Sequence, residues 1–371
     1  MSKRLVPILL IGLLLIVALA ACGAKATPEP EATPIPEAQL NPITVGLVTA
    51  IGGVEEKFYS ALAWKGVQEA ENLFTIEASY KESASESDYA DLLNEFATAN
   101  TDLTIVIGEE MSQALEETAK ANPDASFAIV DAESNAPNVR GITFDVIPPS
   151  YMAGYLAGGM SQTGVVCTYG ETDTPAITDF MTGFFNGADY YRRQNGVNLE
   201  ILGWDVYNKE GVFLNDKTSE DEGYQIAKKF FDQKCDVLFA VAKDAAKGSA
   251  KAAQEEDKLF IGATVDWYDT FPEYGNVVLT SVMKNTEKAV FDNIVAYAAG
   301  SFKGGENYVG TLENNSVGLA PYHQFADKVP QKMQEEIRQV QNNILTGHLS
   351  PAEPWIYDEN NPPATEEESK D

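Results

Sequence analysis

Residues 103–131 of the chain, LTIVIGEEMSQALEETAKANPDASFAIVD, carry the clearest signature of its architecture. They begin with an apolar run at 103–107, continue with a segment of helical period at 111–121, and end with a second apolar run at 126–131. Near-continuous apolar strands separated by a helix are typical of a parallel sheet that is covered on both faces. The stretch therefore predicts a βαβ unit.

The same alternation continues on both sides of this unit and starts afresh near residue 150. The chain beyond residue 42 is too long for one ordinary core and suits two domains. We therefore predict an α/β fold with two doubly wound parallel-sheet lobes joined by a hinge. The first lobe is expected to contain residues 42–147 and 284–303, and the second residues 148–283 and 304–350.

The ends of the chain predict a secreted and tethered protein. Lys3 and Arg4 precede an apolar run at 5–18, and Leu-Ala-Ala precedes Cys22. This order indicates a signal peptide over 1–21, and the last residues resemble a bacterial lipobox in which Cys22 receives lipid; the alternative is an ordinary signal with an incidental cysteine. Residues 22–41 are rich in Pro, Ala, Thr and Glu and predict a flexible linker, and residues 351–371 predict an acidic tail.

The charge balance excludes one class of partner. The chain has 26 Lys and Arg against 56 Asp and Glu, a net charge of −30 at pH 7. Nucleic-acid affinity comes from basic side chains that neutralise phosphates, so we expect no nucleic-acid binding. The same charge repels an anionic bilayer, so the lipid on Cys22 must provide the anchoring.

Few residues are available for catalysis or metal binding. Only His323 and His348 are present, without metal-ligand spacing, and no nucleotide, cofactor or hydrolase motif occurs. We therefore expect no enzyme, no cofactor and no metal. Cys167 and Cys235 lie in or beside apolar runs, and we favour two small buried side chains over a disulfide.

Glycines 154, 158 and 159 superficially resemble a phosphate-binding loop. They lie inside a helical pattern, however, and helix packing is the favoured interpretation.

Several blocks, in this order and spacing, resemble the basic membrane protein (BMP, PnrA-like) family of lipoproteins. They are DASFAIVD at 124–131, VRGITF at 139–144, YMAGYLAG at 151–158, GFFNGA at 183–188, CDVLFA at 235–240 and LTSVMK at 279–284. The family provides the solute-binding components of ABC importers and is best known for purine nucleosides. The resemblance implies a type I periplasmic binding protein fold, with an ABC permease and ATPase as partners.

The resemblance also suggests ligand contacts. Glu56, Tyr59 and Ser60 stand where the family's first loop has an acid, a stacking Phe and an Asn. Asp266 and Lys284 match a pair that hydrogen-bonds ribose hydroxyls in the family. We expect both side chains to point into the gap between the two lobes. Phe213 matches a second stacking aromatic. A glycine-rich loop of the family is replaced here by Lys243, Asp244 and the residues that follow.

Two further residues are candidate ligand contacts because they follow strands, and open parallel sheets bind ligands at the carboxyl ends of their strands. Asp131 ends an apolar strand and is either a ligand contact or a helix cap. Trp267 is either a stacking wall or rim packing. Phe58 fits the core stripe of its own helix, so Tyr59 is the better candidate.

Together these observations predict a lipid-anchored, extracytoplasmic solute-binding protein at the cell membrane, working as a monomer with an ABC importer. Its ligand is expected to be small, polar and ring-bearing, a purine nucleoside first. The alternative is a surface receptor that senses the same ligand in the same cleft without transport.

Overall fold

The computed structural model describes residues 43–215 and 218–354. The predicted signal peptide (1–21), Cys22, the linker (22–41) and the acidic tail beyond residue 354 lie outside the described residues. Within the described part of the chain, no helix is both long and apolar enough to cross a membrane.

The first lobe begins as an alternation of strands and helices. Its elements are β1 (Ile43–Ile51), α1 (Ser60–Leu73), β2 (Ile76–Ser83), α2 (Tyr89–Thr98), β3 (Leu103–Ile107), α3 (Ser112–Ala121), β4 (Phe127–Val130) and β5 (Val139–Phe144). All the strand pairs in this lobe are parallel. Residues of β1 alternate between two buried clusters, one shared with α1 and the other with α2, so the sheet is covered on both faces.

The second lobe repeats this plan. Its elements are α4 (Ile147–Met160), β6 (Val165–Gly170), α5 (Pro175–Asn195), β7 (Glu200–Leu202), β8 (Trp204–Asp205), β9 (Glu210–Gly211), α6 (Glu220–Asp232), β10 (Val237–Val241), α7 (Ala245–Glu255), β11 (Leu259–Thr264), α8 (Trp267–Thr270) and β12 (Val278–Lys284). Strands β6, β7, β10, β11 and β12 pair in parallel, while β8 and β9 form a small antiparallel hairpin.

The C-terminal part of the chain returns to each lobe in turn. It contains α9 (Thr286–Ala298), β13 (Tyr308–Gly310), β14 (Val317–Leu319) and α10 (Gln331–Leu345). The finished sheets have the orders β13-β5-β4-β3-β1-β2 and β14-β12-β11-β10-β6-β7. The prediction of two doubly wound α/β lobes is confirmed, with one antiparallel pair between β12 and β14.

The third crossing between the lobes differs from the expected boundary at 303/304. Tyr308–Gly310 pairs in parallel with residues 142–144 of β5, so the chain stays with the first sheet until Gly310. Backbone hydrogen bonds join the crossings: Asp145 N donates to Gly310 O at 2.8 Å, and Asn285 N donates to Ser316 O at 2.8 Å. These three bonded crossings form the hinge region.

The glycines of α4 serve helix packing, as predicted. A Cβ atom at Gly154 would lie 1.9 Å from the carbonyl oxygen of Phe184 in α5, and one at Gly187 would lie 1.8 Å from that of Tyr151. Such distances leave no room for any side chain. The two helices therefore touch through their backbones, and glycine is required at both positions.

The prediction of two unpaired cysteines is wrong. Cys167, in the central part of β6, and Cys235, two residues before β10, form a disulfide with a Cα–Cα distance of 6.0 Å. Both residues are fully buried. The parallel pairing of β6 with β10 brings the two cysteines together, although 68 positions separate them in sequence.

Candidate ligand-binding site

A cavity of about 570 Å³ lies between the two lobes at the carboxyl ends of their strands. Residues that follow β1, β3 and β4 line it from the first lobe, and residues that follow β6, β10 and β11 line it from the second. This is the edge at which open parallel sheets bind ligands. Five predicted contacts line it: Glu56, Tyr59, Asp131, Trp267 and Lys284.

An ion pair joins the lobes at this cavity. Lys284 Nζ, at the end of β12, donates to Asp131 Oδ1, just after β4, at 3.0 Å. Their side chains are 7% and 21% exposed. Burial by itself lowers the pKa of the Lys284 ammonium, but attraction to Asp131 and Tyr59 outweighs it, and the pKa lies above the usual lysine value. The pair therefore presents a charged donor beside a charged acceptor.

The ring of Tyr59 lies near both lysines of the cavity. Lys284 Nζ is 5.6 Å and Lys243 Nζ is 5.7 Å from the ring centroid. Burial raises the pKa of the Tyr59 hydroxyl, against the opposing attraction of Lys284. The hydroxyl therefore stays protonated at neutral pH, and the ring offers a flat surface for a planar ligand.

Left-handed backbone occurs at several of the strand ends that line the cavity. The φ angles of Asp131, Lys243 and Thr264 are 64°, 38° and 75°, and those of Gly52 and Gly108 are 112° and 104°. A positive φ is an outlier for a β-branched residue such as Thr264. Strained conformations of this kind cost about 1–3 kcal/mol each and are concentrated at functional sites.

The first loop departs from the expected set of contacts. The Glu56 carboxylate lines the cavity, but it also accepts hydrogen bonds from the backbone N–H groups of Phe58, at 2.8 Å, and Ser60. It therefore caps the start of α1. Ser60 does not line the cavity: it is fully buried, and its hydroxyl has no hydrogen-bond partner among residues 43–215 and 218–354.

The expected pairing of Asp266 with Lys284 is not formed. Asp266 is the N-cap of α8: its Oδ1 accepts from Tyr268 N at 3.1 Å, and its Oδ2 lies 2.8 Å from His323 Nε2. Asp266 does not line the cavity, and Asp131 is the carboxylate beside Lys284.

Three side chains that could coordinate a metal ion lie close together at Asp266. The ligand atoms of Asp266, Asp269 and His323 lie within 4.8 Å of one another. The His323 ring also stacks on Tyr268 with a centroid distance of 4.1 Å. The hydrogen bond to Asp266 and this stacking account for the position of His323 without an ion.

Phe213 also lies away from the cavity. Its ring meets Trp204 edge-on at a centroid distance of 6.1 Å, and it lines a separate surface groove with residues of α6. The second stacking aromatic that the resemblance suggested is therefore not in the cavity.

Trp267 forms part of the cavity wall but belongs mainly to the core. It is 1% exposed, packs on Phe260 and Phe271 at 4.9 and 4.6 Å, and donates its indole N–H to Ala263 O at 3.1 Å. Only part of the indole faces the gap, so rim packing describes it better than a stacking wall.

The sequence pattern did not indicate that Phe58 lines the cavity. Phe58 precedes α1 and lies in the aromatic cluster of the second lobe, 5.7 Å from Phe271 and 6.4 Å from Trp267. Next to it, Lys57 Nζ donates to Thr270 O at 3.2 Å. The loop after β1 therefore reaches across the cleft, and Phe58 is not part of its own helix's core stripe.

Comparison with known proteins places the chain in a family. Residues 43–352 match the family described as "ABC transporter substrate-binding protein PnrA-like". A CD4+ T-cell-stimulating antigen of Listeria innocua is 28% identical over 90% of this chain and 94% of that protein. A Lactococcus lactis protein named "ABC transporter nucleoside-binding protein BmpA" is 24% identical over 94% of this chain and 99% of its own length.

The fold is also found in a solved structure. A solute-binding protein of an ABC transporter system from Aeropyrum pernix superposes with a TM-score of 0.68 at 18% sequence identity, covering 83% of this chain and 93% of that one. With a family match over nearly all the described residues and a cavity between two parallel-sheet lobes, the chain belongs to the PnrA-like (Bmp) family of ABC transporter substrate-binding proteins.

Proposed function

We propose that this protein captures a purine nucleoside, or a ligand of similar size with a planar ring and hydroxyl groups, and presents it to the permease and ATPase of an ABC importer. One observation carries the proposal: the Tyr59 ring lies beside the Asp131–Lys284 pair inside the cavity between the lobes.

The chemistry of this arrangement suits a nucleoside. An aromatic ring stacks on a planar base, the carboxylate accepts hydrogen bonds from sugar hydroxyls, and the ammonium donates to them. The cavity, at about 570 Å³, falls within the range of small-molecule sites. The relative named as nucleoside-binding gives independent support.

Binding is tested on protein that has been unfolded and refolded to remove any copurified ligand. Adenosine, guanosine, inosine, adenine and ribose are compared by calorimetry and thermal melting. A nucleoside at 100 times its Kd is expected to stabilise the protein by about 2.7 kcal/mol. If none of these ligands binds or stabilises the protein, the nucleoside proposal is contradicted.

Variants then locate the site. Tyr59→Ala and Asp131→Asn are expected to weaken binding at least tenfold, in line with the loss of about 1.4 kcal/mol from a stacked ring or a charged hydrogen bond. Tyr207→Ala and Asp124→Asn are matched controls at exposed positions outside the cavity. Unchanged affinity in both cavity variants contradicts the proposed site.

We further propose that Cys22 carries the lipid that holds a monomeric protein on the extracytoplasmic side of the membrane. The Cys167–Cys235 disulfide is consistent with an oxidising compartment. Cys22→Ser is expected to move the protein from the membrane fraction to the soluble extracytoplasmic fraction. Recovery of this variant in the membrane fraction contradicts lipid anchoring through Cys22.

A further inference from the structure

The cavity has a strong excess of negative charge. Six carboxylates line it, against two ammonium groups. Both ammonium groups already face negative partners. Lys284 is paired with Asp131, and Lys243 lies among acidic groups: partial burial lowers its pKa, but attraction to Tyr59, Glu171, Glu110 and Asp131 outweighs this and raises it.

Three of the carboxylates form no ion pair within the described residues, although the Lys243 ammonium attracts two of them, Glu110 and Glu171, without closing a salt bridge. Glu109 and Glu110 follow β3 in the first lobe, and Glu171 follows β6 in the second. Within residues 43–215 and 218–354, none of the three side chains forms an ion pair or accepts a hydrogen bond. Because they approach the cavity from opposite lobes, a ligand held between the lobes lies in the field of all three.

The other carboxylates are engaged. Glu56 accepts from two backbone N–H groups, Asp131 accepts from Lys284, and Asp244 pairs with Lys247. The surplus charge of the cavity is therefore located at Glu109, Glu110 and Glu171. Like charges that face each other across the cavity repel each other, and a cation between them reduces this repulsion.

From this arrangement we infer that the cleft selects its ligand by charge: it takes a ring-bearing ligand that carries a protonated amine in preference to a neutral one, and it rejects phosphorylated ligands. This inference rests on the proposed function, since it names the charge class of the ligand that the same cavity binds. The Asp131–Lys284 pair and Tyr59 hold the ring and hydroxyls, and the three free carboxylates face the amine.

The experiment uses ligands that share a ring and differ mainly in the charge of one substituent. The first set is adenosine and two derivatives in which the same ribose hydroxyl is either replaced by a protonated amine or esterified with phosphate. The second set is tryptamine, tryptophol and indole acetate, which carry positive, zero and negative charge on a different ring without a sugar. Affinities are measured by calorimetry near pH 7 at low and high salt.

In each set that binds, the amine is expected to bind about tenfold more tightly than the neutral ligand, and the anion at least about tenfold more weakly. High salt should compress both differences. A variant with Glu109→Gln, Glu110→Gln and Glu171→Gln should lose most of the preference. The control changes three exposed carboxylates away from the cavity by the same charge: Glu69→Gln, Glu71→Gln and Glu77→Gln.

The outcomes separate the two proposals. Equal affinities, a reversed order, or the same order in the triple cavity variant overturns the charge inference. Ordered binding of the indole set with no binding of the adenosine set overturns the nucleoside proposal and supports the charge inference. If neither set of ligands binds, both the nucleoside proposal and the charge inference are overturned.

Discussion

Phe58 offers a direct test of whether the two lobes close as a unit around the cavity. The ring comes from the first lobe but is only 6% exposed, because it lies against Trp267 and Phe271 of the second. We expect it to leave this cluster whenever the lobes separate. Phe58→Ala should therefore destabilise the closed state selectively, while each lobe keeps its own core.

The magnitude follows from the burial. A buried phenylalanine side chain contributes about 1.5–3 kcal/mol relative to an exposed one. If that amount is lost only from the closed state, ligand affinity falls by roughly 30-fold for a loss of about 2 kcal/mol. The ligand-free protein should change much less in its free energy of unfolding if its lobes separate, because the ring is then expected to be exposed already.

Calorimetry with the bound ligand and urea unfolding of the ligand-free variant measure the two effects. Phe74→Ala is the matched control, since Phe74 packs on Phe291 within the first lobe, at 6.2 Å. The control should lower stability and leave the affinity nearly unchanged. A Phe58→Ala protein with normal affinity and a large loss of ligand-free stability would refute the reasoning, since Phe58 would then be an ordinary core residue.

Three further predictions concern stability. Thr264→Asn should have a free energy of unfolding about 1 kcal/mol higher than Thr264→Val in urea titrations, because both variants lose the Thr264 hydroxyl that hydrogen-bonds to Tyr59 but only Asn tolerates the left-handed backbone at φ 75°; equal stabilities of the two variants contradict strain at this position. Lys284 has a raised pKa, so its stabilising effect is fully present below the ordinary lysine pKa of about 10.4 and is lost as pH rises through the folded value. Lys284→Met should lower stability near neutral pH, because it leaves Asp131 unpaired, and it should flatten the alkaline fall in stability; an unchanged alkaline profile would show that other groups cause it. Replacing Cys167 and Cys235 by alanine opens a loop with a sequence separation of 68 and should cost up to about 4 kcal/mol, measured by urea unfolding against the oxidised protein; no loss would show that the bond does not constrain the unfolded chain.

Most of the fold was predictable because buried parallel strands have a strong sequence signal. Strands such as β3, LTIVI, consist only of residues that are buried in the structure. Strands with mixed sequences were missed: β2, IEASYKES, lies at a sheet edge with most residues partly or fully exposed, and β13 has only three residues. The hinge boundary near residue 304 was misplaced for the same reason.

The site was less predictable because its contacts join distant parts of the chain. Asp131 and Lys284 are 153 positions apart, and Asp266 and His323 are 57 apart, so no local pattern shows which acid pairs with which base. The resemblance indicated Lys284 but attached it to Asp266. The order of the strands in the sheets decides these pairings, and it emerges only when both lobes are assembled.

We propose that Tyr59, Asp131 and Lys284 together hold one ligand between the lobes. A crystal structure of the protein with a bound purine nucleoside tests it most directly. We expect the base to stack on the Tyr59 ring, with sugar hydroxyls about 3 Å from the Asp131 carboxylate and the Lys284 ammonium. A nucleoside bound outside this cavity, or held there by other residues with the Asp131–Lys284 pair turned away, would contradict it.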